Sequence, residues 1–283
     1  MAEESEHWHK TIPKARDRAQ SRILVWIVGP LLFAGAVTPP LAALKLGFPL
    51  RSLTAPFLLS AGFAILVYAL RAATLEASIL GFLICVILAQ SSESWTPYPL
   101  YPTSHSALVA LVAVFVLTYL ATKLGRRAKE ARGLAEPRRG RQASQIVANL
   151  GIAGLFAAAG CYPGCIAALA EAAADTVSSE VGQAVGGPPR LLTNWNAVVP
   201  GTDGGITIIG TAAGLAAAAV VVALGALHHS LWPRMVMVWL CACGGLFFDS
   251  LLGATFERRG WIGNDLVNLS STLFAALLAL ALS

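Results

Sequence analysis

Charged side chains are scarce in this chain. They make up 12% of its 283 residues, against roughly 25% in ordinary soluble domains. Apolar residues reach 56% and mean hydropathy is +0.67, a balance that excludes an ordinary soluble domain. Several signatures are missing as well. There is no Walker lysine loop, no aspartate-rich DDxxD pair of a prenyl synthase and no CDP-alcohol phosphotransferase signature. No cleavable signal peptide is visible: the first 22 residues are polar and the apolar run that follows is too long for an h-region, so the first span is expected to stay as an anchor. No internal repeat stands out, which argues against an inverted-repeat transporter. Nucleic acid is not expected as a partner. Of the five cysteines, Cys161 and Cys165 (CYPGC) have a redox-like spacing but no nearby His pair, and a disulfide between them is left open. Cys85, Cys241 and Cys243 read as small packing residues, and His228 and His229 as interfacial. SHSAL at 104–108 lacks the Arg-containing block that a lipid phosphatase would need.

What the chain does contain is a series of about nine hydrophobic segments, near 23–43, 54–71, 74–91, 105–122, 144–161, 163–181, 205–227, 235–253 and 265–282. Most approach the ~20 residues that cross a bilayer as helix. The expected fold is therefore all-α, a polytopic transmembrane bundle. Residues 144–161 and 163–181 are joined only at Tyr162-Pro163-Gly164 and read as a helical hairpin. If the N-terminus is cytoplasmic and every segment crosses, all of the 20 Lys and Arg except Lys45, Arg51 and Arg234 fall on the cytoplasmic side, as the positive-inside rule requires. Trp95, Tyr98 and Tyr101 then lie outside, where they suit an interfacial belt. This divides the chain into a polar cytoplasmic N-terminus (1–22), N-terminal spans (23–122), a basic cytoplasmic loop (123–143) and a C-terminal catalytic region (144–283). The loop's eight basic residues, from Lys123 to Arg141, are explained by their topogenic role; contact with anionic lipid is the other reading.

Three carboxylates, Glu171, Asp175 and Glu180, interrupt the apolar sixth segment, where an unpaired charge costs a few kcal/mol or more. Glu171, Asp175, Ser178 and Gly182 share one helical stripe. A loop with the sequence PGTDGG follows at Pro200–Gly205. The topology brings Asp175, Glu180, that loop, Asp249 and the trio Asn264, Asp265 and Asn268 to one cytoplasmic face. Magnesium takes one or two protein carboxylates and fills its other positions with water and phosphate oxygens. Asp175 and Glu180 are the first candidates as metal and catalytic residues, with Asp203 and Asp249 next. Gly201, Thr202, Gly204 and Gly205 offer amide and hydroxyl donors to phosphate. Thr207 and Thr211 open the next helix, and Arg190 is placed to pair with a phosphate. Blander readings stay open: helix-packing hydrogen bonds for the carboxylates, a tight turn for PGTDGG, a cap or an Arg258 pair for Asp249, and a helix N-cap at Asn264-Asp265.

Four blocks carry a family likeness: GRQASQIVANLGIAGL, AEAAADTVSSEVGQ, LLTNWNAVVPGTDGGITIIGTAAG and FFDSLLGATFERRGWIGNDLVNLSST. In this order they resemble the membrane family that contains plant phytyl-phosphate kinase and animal transmembrane protein 19, itself distantly similar to CTP-using phytol and dolichol kinases. The resemblance covers about Thr118 to the C-terminus. It implies transfer of a phosphoryl group from a nucleoside triphosphate, CTP by the resemblance, to a prenyl monophosphate at the cytoplasmic membrane face, with Mg2+. Block matching adds Asn149 and Thr193 to the candidate binding residues Arg190, Gly201, Thr202, Gly204, Gly205, Thr211, Asn264, Asp265 and Asn268, and the block GRQASQIVAN brings in Arg141 and Gln145, with Asn149, as residues expected to line the site. The competing readings are a cation-coupled membrane transporter, a phosphotransferase for another lipid phosphate and a non-catalytic membrane scaffold.

Overall fold

The computed structural model describes residues 12–47, 50–90, 106–135, 140–227 and 232–283. The aromatic belt expected at Trp95, Tyr98 and Tyr101, the start of SHSAL, and His228 and His229 lie outside the described residues.

Among the described residues the fold is all-α apart from one two-stranded ladder. Its helices are α1 (Lys14–Lys45), α2 (Leu50–Ala69), α3 (Leu75–Gln90), α4 (Ser106–Lys123), the short α5 (Arg126–Ala131), α6 (Ala143–Ala158), α7 (Tyr162–Val185), α8 (Ile208–Gly225), α9 (Met235–Leu252) and α10 (Asn264–Leu282). Among the described residues, α1, α8, α10 and α9 with its extension to Glu257 are long and apolar enough to cross a membrane, and shorter apolar helices cover parts of α2, α3, α4 and α6. The perimeter is apolar: Ile208 is 90% exposed, Trp26 74% and Leu58 71%. In water such a surface would be untenable, and in a bilayer it is the lipid-facing side.

The expected hairpin forms, with α6 ending at Ala158 and α7 beginning at Tyr162, where Pro163 in the first turn needs no intrahelical donor. All five cysteines are free, so the pairing left open for Cys161 and Cys165 is not made. Cys165 lies in the helix one turn beyond Cys161. Part of the region read as a polar N-terminus is helical: α1 starts at Lys14 and carries its first turns into tertiary contacts. Arg16 donates to the Gly260 carbonyl at 2.9 Å, Gln20 to that of Trp261 at 2.9 Å, and Ser21 to Asp265 at 2.6 Å.

Helix α7 is the axis of the bundle and touches α4, α6, α8, α9 and α10. Its alanine-rich face lets α8 approach closely. A Cβ on Gly210 would lie 2.5 Å from the Ser178 carbonyl oxygen, and one on Gly214 would lie 2.6 Å from that of Ala174. Small residues four apart on both helices permit this backbone approach, which supplies the van der Waals contact that holds helices together in lipid.

The described parts of the segments read as cytoplasmic meet at the same end of the molecule. The α2–α3 turn pairs with Arg141, α5 docks on α7, and the α9–α10 turn binds the start of α1. The opposite end is marked by Tyr162, whose hydroxyl donates to the Gly225 carbonyl at 2.7 Å. Alternation of the nine longer described helices is thus built into the packing.

Candidate functional site

Local sequence fixes the polar end first at α6. Gln142 and Gln145 form a reciprocal capping box, with the Gln142 amide donating to Gln145 Oε1 at 2.7 Å. The cap sets Arg141 just before the helix and Asn149 two turns into it. Arg141 is held by its backbone as well: its amide donates to the Ala72 carbonyl at 2.9 Å, and the Thr74 amide donates to the Arg141 carbonyl at 3.0 Å. Gly140 makes this possible. Its φ is +78°, and a Cβ there would come within 2.6 Å of the Ala72 backbone.

Beyond Arg141 lies a polar cavity of about 340 Å³ between α6, α7, α9, α10 and the loop after α7. Asp175, Asp203, Asp249 and Glu257 border it together with Asn149, Asn268 and Asn264. Hydrogen bonds tie much of this wall together. Asn268 Nδ2 donates to Asn149 Oδ1 at 3.3 Å, Asn149 donates to the Gln145 carbonyl at 2.9 Å, and Ser271 donates to Asp249 Oδ2 at 3.1 Å. Arg141 Nη2 lies 3.5 Å from Thr176 Oγ1. The loop Pro200–Gly205 closes one wall as consecutive turns, with Gly201 at φ +92° and Gly204 at +73°. It is wedged between elements: a Cβ on Gly201 would strike Leu134, and one on Gly204 would strike the backbone of Ala254.

Most of the expected site residues therefore converge. Asp175, Glu180, Asp203, Asp249, Asn149, Asn264, Asn268, Gly201, Thr202, Gly204 and Gly205 all border the cavity. Four do not. Arg190 belongs to β1 (Arg190–Leu191), pairs with β2 (Gly205–Ile206), and donates to the Trp195 carbonyl at 2.8 Å. Among the described residues the cation that borders the cavity is Arg141, which the sequence also placed at the site, and Arg190 lies outside the cavity lining. Thr193 is exposed on the adjoining turn. Thr211 closes the first turn of α8, its amide donating to the Thr207 carbonyl at 2.8 Å, and does not border the cavity; the cap of α8 is Thr207, whose hydroxyl accepts from the Gly210 amide at 3.1 Å. Asp265 is turned to Ser21 of α1. The cap of α10 is Gly263 rather than Asn264 or Asp265, and Asp249 meets Ser271 rather than Arg258.

Glu180 also differs from expectation. Its carboxylate forms a buried ion pair with Lys129 of α5, and Lys129 donates further to the carbonyls of Ala121 (3.4 Å) and Thr122 (3.2 Å). Glu257 was not foreseen. A π turn over Gly253–Glu257 extends α9 and brings Glu257, 4% exposed, to the cavity wall. The sequence signal was an acid directly before Arg258-Arg259, which reads like an ordinary helix end. Glu171 is buried beside Gly245 of α9, and its Oε1 has no hydrogen-bond partner.

The donor set is all oxygen: carboxylates and amide carbonyls, with hydroxyls nearby. Among the described residues no three His, Cys, Asp or Glu side chains are grouped to hold a metal ion by themselves. The four carboxylates expected as ligands thus form no closed cage. A hard cation that shares its shell between one or two carboxylates, water and phosphate fits this arrangement.

A second, larger cavity of about 990 Å³ lies alongside, between α2, α3, α4 and α6. Its wall is mostly apolar, and Arg71, Lys123, Arg126 and Arg127 stand where it reaches the polar end. Arg141 and Asn149 border both cavities.

The family model for integral membrane protein DUF92 matches residues 58–276. The chain belongs to this family. An uncharacterized membrane protein of Methanocaldococcus jannaschii is 34% identical over 188 residues, 63% of this chain and 77% of its own length. Protein VTE6, chloroplastic, of Arabidopsis thaliana is 28% identical over 204 residues, 66% of this chain and 60% of its own. An uncharacterized membrane protein of Synechocystis is 29% identical over 197 residues, 62% and 72%. No solved structure matches. The family resemblance read from the four blocks is borne out, and the match reaches further toward the N-terminus than those blocks do.

Proposed function

We propose that this protein is a nucleoside-triphosphate-dependent prenyl-monophosphate kinase whose polar end faces the cytoplasm. The observation that carries the reading is the single cavity in which Arg141, Asp175, Asp203, Asp249, Asn149 and Asn268 meet the glycine loop. The kinship with VTE6 and the resemblance to plant phytyl-phosphate kinase support the same chemistry. A phosphate oxygen of the prenyl monophosphate attacks the γ-phosphorus, the bond to the nucleoside diphosphate breaks, and a prenyl diphosphate results. The acceptor is already an anion, so no strong general base is required, and the protein's task is to position two anions and offset their repulsion. Arg141 neutralises and orients phosphate, in a site where such a contact is worth more than in water. In the Gly201–Gly205 loop the amides of Thr202 and Gly205 donate to the Val199 and Thr202 carbonyls within the turns, and the amides of the two left-handed glycines, Gly201 and Gly204, are the ones suited to donate to the nucleotide's phosphates. Asp175 and Asp249, with Asp203 beside them, would hold Mg2+, which supplies charge neutralisation on the transferring group. Asn149 and Asn268 fix the polar wall between them.

The test is a phosphorylation assay on detergent-purified protein with phytyl or geranylgeranyl monophosphate, magnesium, and each of CTP, ATP, GTP and UTP. A prenyl diphosphate that disappears in Asp175→Ala is expected, with CTP as the preferred donor. No product with any pair, from protein shown to be folded, would overturn the reading.

A further inference from the structure

We propose that the cavity between α2, α3, α4 and α6 is the isoprenoid-tail site, with the acceptor's monophosphate at Arg141 and position 81 setting the tail length accepted. The proposal rests on the kinase reading above and assigns the place of its acceptor. The volume, about 990 Å³, is at the upper end of the range for small-molecule sites. Along α4 the cavity extends from Lys123 to Leu111, roughly 18 Å at 1.5 Å per residue. It is a long chamber, apolar within at Phe63, Ile84 and Leu111, and it reaches the polar end of the bundle.

Charge decides the occupant. Arg71, Lys123, Arg126 and Arg127 stand around the mouth, and one acid, Glu130, accompanies them, paired with Arg126 at 3.1 Å. A phosphomonoester carries about −1.5 to −2 charges at neutral pH, so an apolar chain ending in a monophosphate is the complement of an apolar chamber with a basic rim. The wall shared through Arg141 and Asn149 then puts the acceptor phosphate between tail and nucleotide. A tail running inward from Arg141 leaves its phosphate facing the carboxylate side, where the transfer occurs.

Gly81 makes the inference testable. It borders the chamber, and a Cβ added to it meets nothing within 4 Å. It lies about 9 Å along α3 from Leu75, part-way down the chamber. Larger side chains there take tail space without displacing protein atoms near the backbone, and Gly→Ala inside a helix is favourable on propensity grounds.

The experiment measures equilibrium binding of geranyl, farnesyl and geranylgeranyl monophosphate to the full-length protein without nucleotide. The proteins compared are the parent, Gly81→Ala, Gly81→Leu and Gly81→Phe. Expected is a graded loss for the longest tail, reaching about tenfold in Gly81→Phe, the equivalent of roughly two methylenes no longer buried. Geranyl monophosphate should lose much less. Two-tailed phosphatidic acid should compete poorly. A loss equal for all three tails, no loss in any variant, or phosphatidic acid competing as well as geranylgeranyl monophosphate would overturn the tail site. Parent protein that binds prenyl monophosphates with the expected length dependence in the variants, yet forms no diphosphate with any nucleotide, leaves the tail site standing and removes the kinase reading instead.

Discussion

Replacing Lys129 by methionine strips Glu180 of its buried counter-charge. The Lys129 side chain is 1% exposed and that of Glu180 9%, and Lys129 is the buried residue through which the six-residue α5 holds to α7. Removing one partner of such a pair costs about 3–5 kcal/mol, because the other charge stays buried and uncompensated. For a chain of this size that lowers the melting temperature by on the order of 10 °C. Two carbonyls, of Ala121 and Thr122, also lose their donor. Adding Glu180→Leu should return most of the lost stability, since an apolar pair of similar volume often replaces a buried ion pair at little cost. Thermal unfolding in detergent, followed by intrinsic fluorescence across parent, both single variants and the double, gives the coupling directly. If Lys129→Met melts with the parent, or if the double variant loses the sum of the singles, the pair does not hold α5. Glu180 would then return to the set of metal-binding candidates.

Asp175→Asn should lower turnover by at least about a hundredfold, the scale of losing one electrostatic contact to the transition state, while the melting temperature stays near that of the parent. Arg141→Lys should raise KM for the acceptor about tenfold, because an ammonium does not reproduce the planar fork of guanidinium. Arg190→Lys, away from the cavity, should change KM little. Gly204→Ala should destabilise by about 2–3 kcal/mol, since φ is +73° and the new Cβ meets the Ala254 backbone, whereas Gly187→Ala, at the same φ but in open space, should cost only about 1 kcal/mol. Chemical denaturation of the two variants side by side checks this contrast. Chelating magnesium should abolish diphosphate formation, and restoring it should return the rate.

The helices were legible because uncharged apolar runs of span length are what a bilayer selects and a water-soluble fold seldom needs. The carboxylates were legible for the complementary reason: Asp175 and Asp249 are costly in apolar helices unless they face a polar interior. What could not be seen was how short segments fold back in three dimensions. Arg190 is nearest in sequence to the glycine loop, yet the β-ladder with Gly205–Ile206 turns it to Trp195. Arg141 comes from a distant loop by way of main-chain bonds that leave no side-chain pattern; only its place in the block GRQASQIVAN marked it as a residue of the site, and it does border the cavity. Lys129 reads as one more positive charge beside a span, and only α5 folding back onto α7 reveals its partner. Glu257 depends on a π turn, whose extra residue shifts the helical phase by an amount that no periodicity of the flanking sequence records.

The joint between Arg141 and the α2–α3 turn is made of peptide groups: Ala72, Thr74 and Arg141 exchange two bonds through their main chains. Peptide groups are the same in every residue but proline, so the joint places almost no demand on which side chains α2 and α3 display. Only Gly140 is held to its identity, by its left-handed backbone and the lack of room for a Cβ. The helices around the apolar chamber are thus free to vary in shape and bulk while the guanidinium keeps its position. A protein built this way can be retuned to a different lipid without re-engineering the place where phosphate is handled.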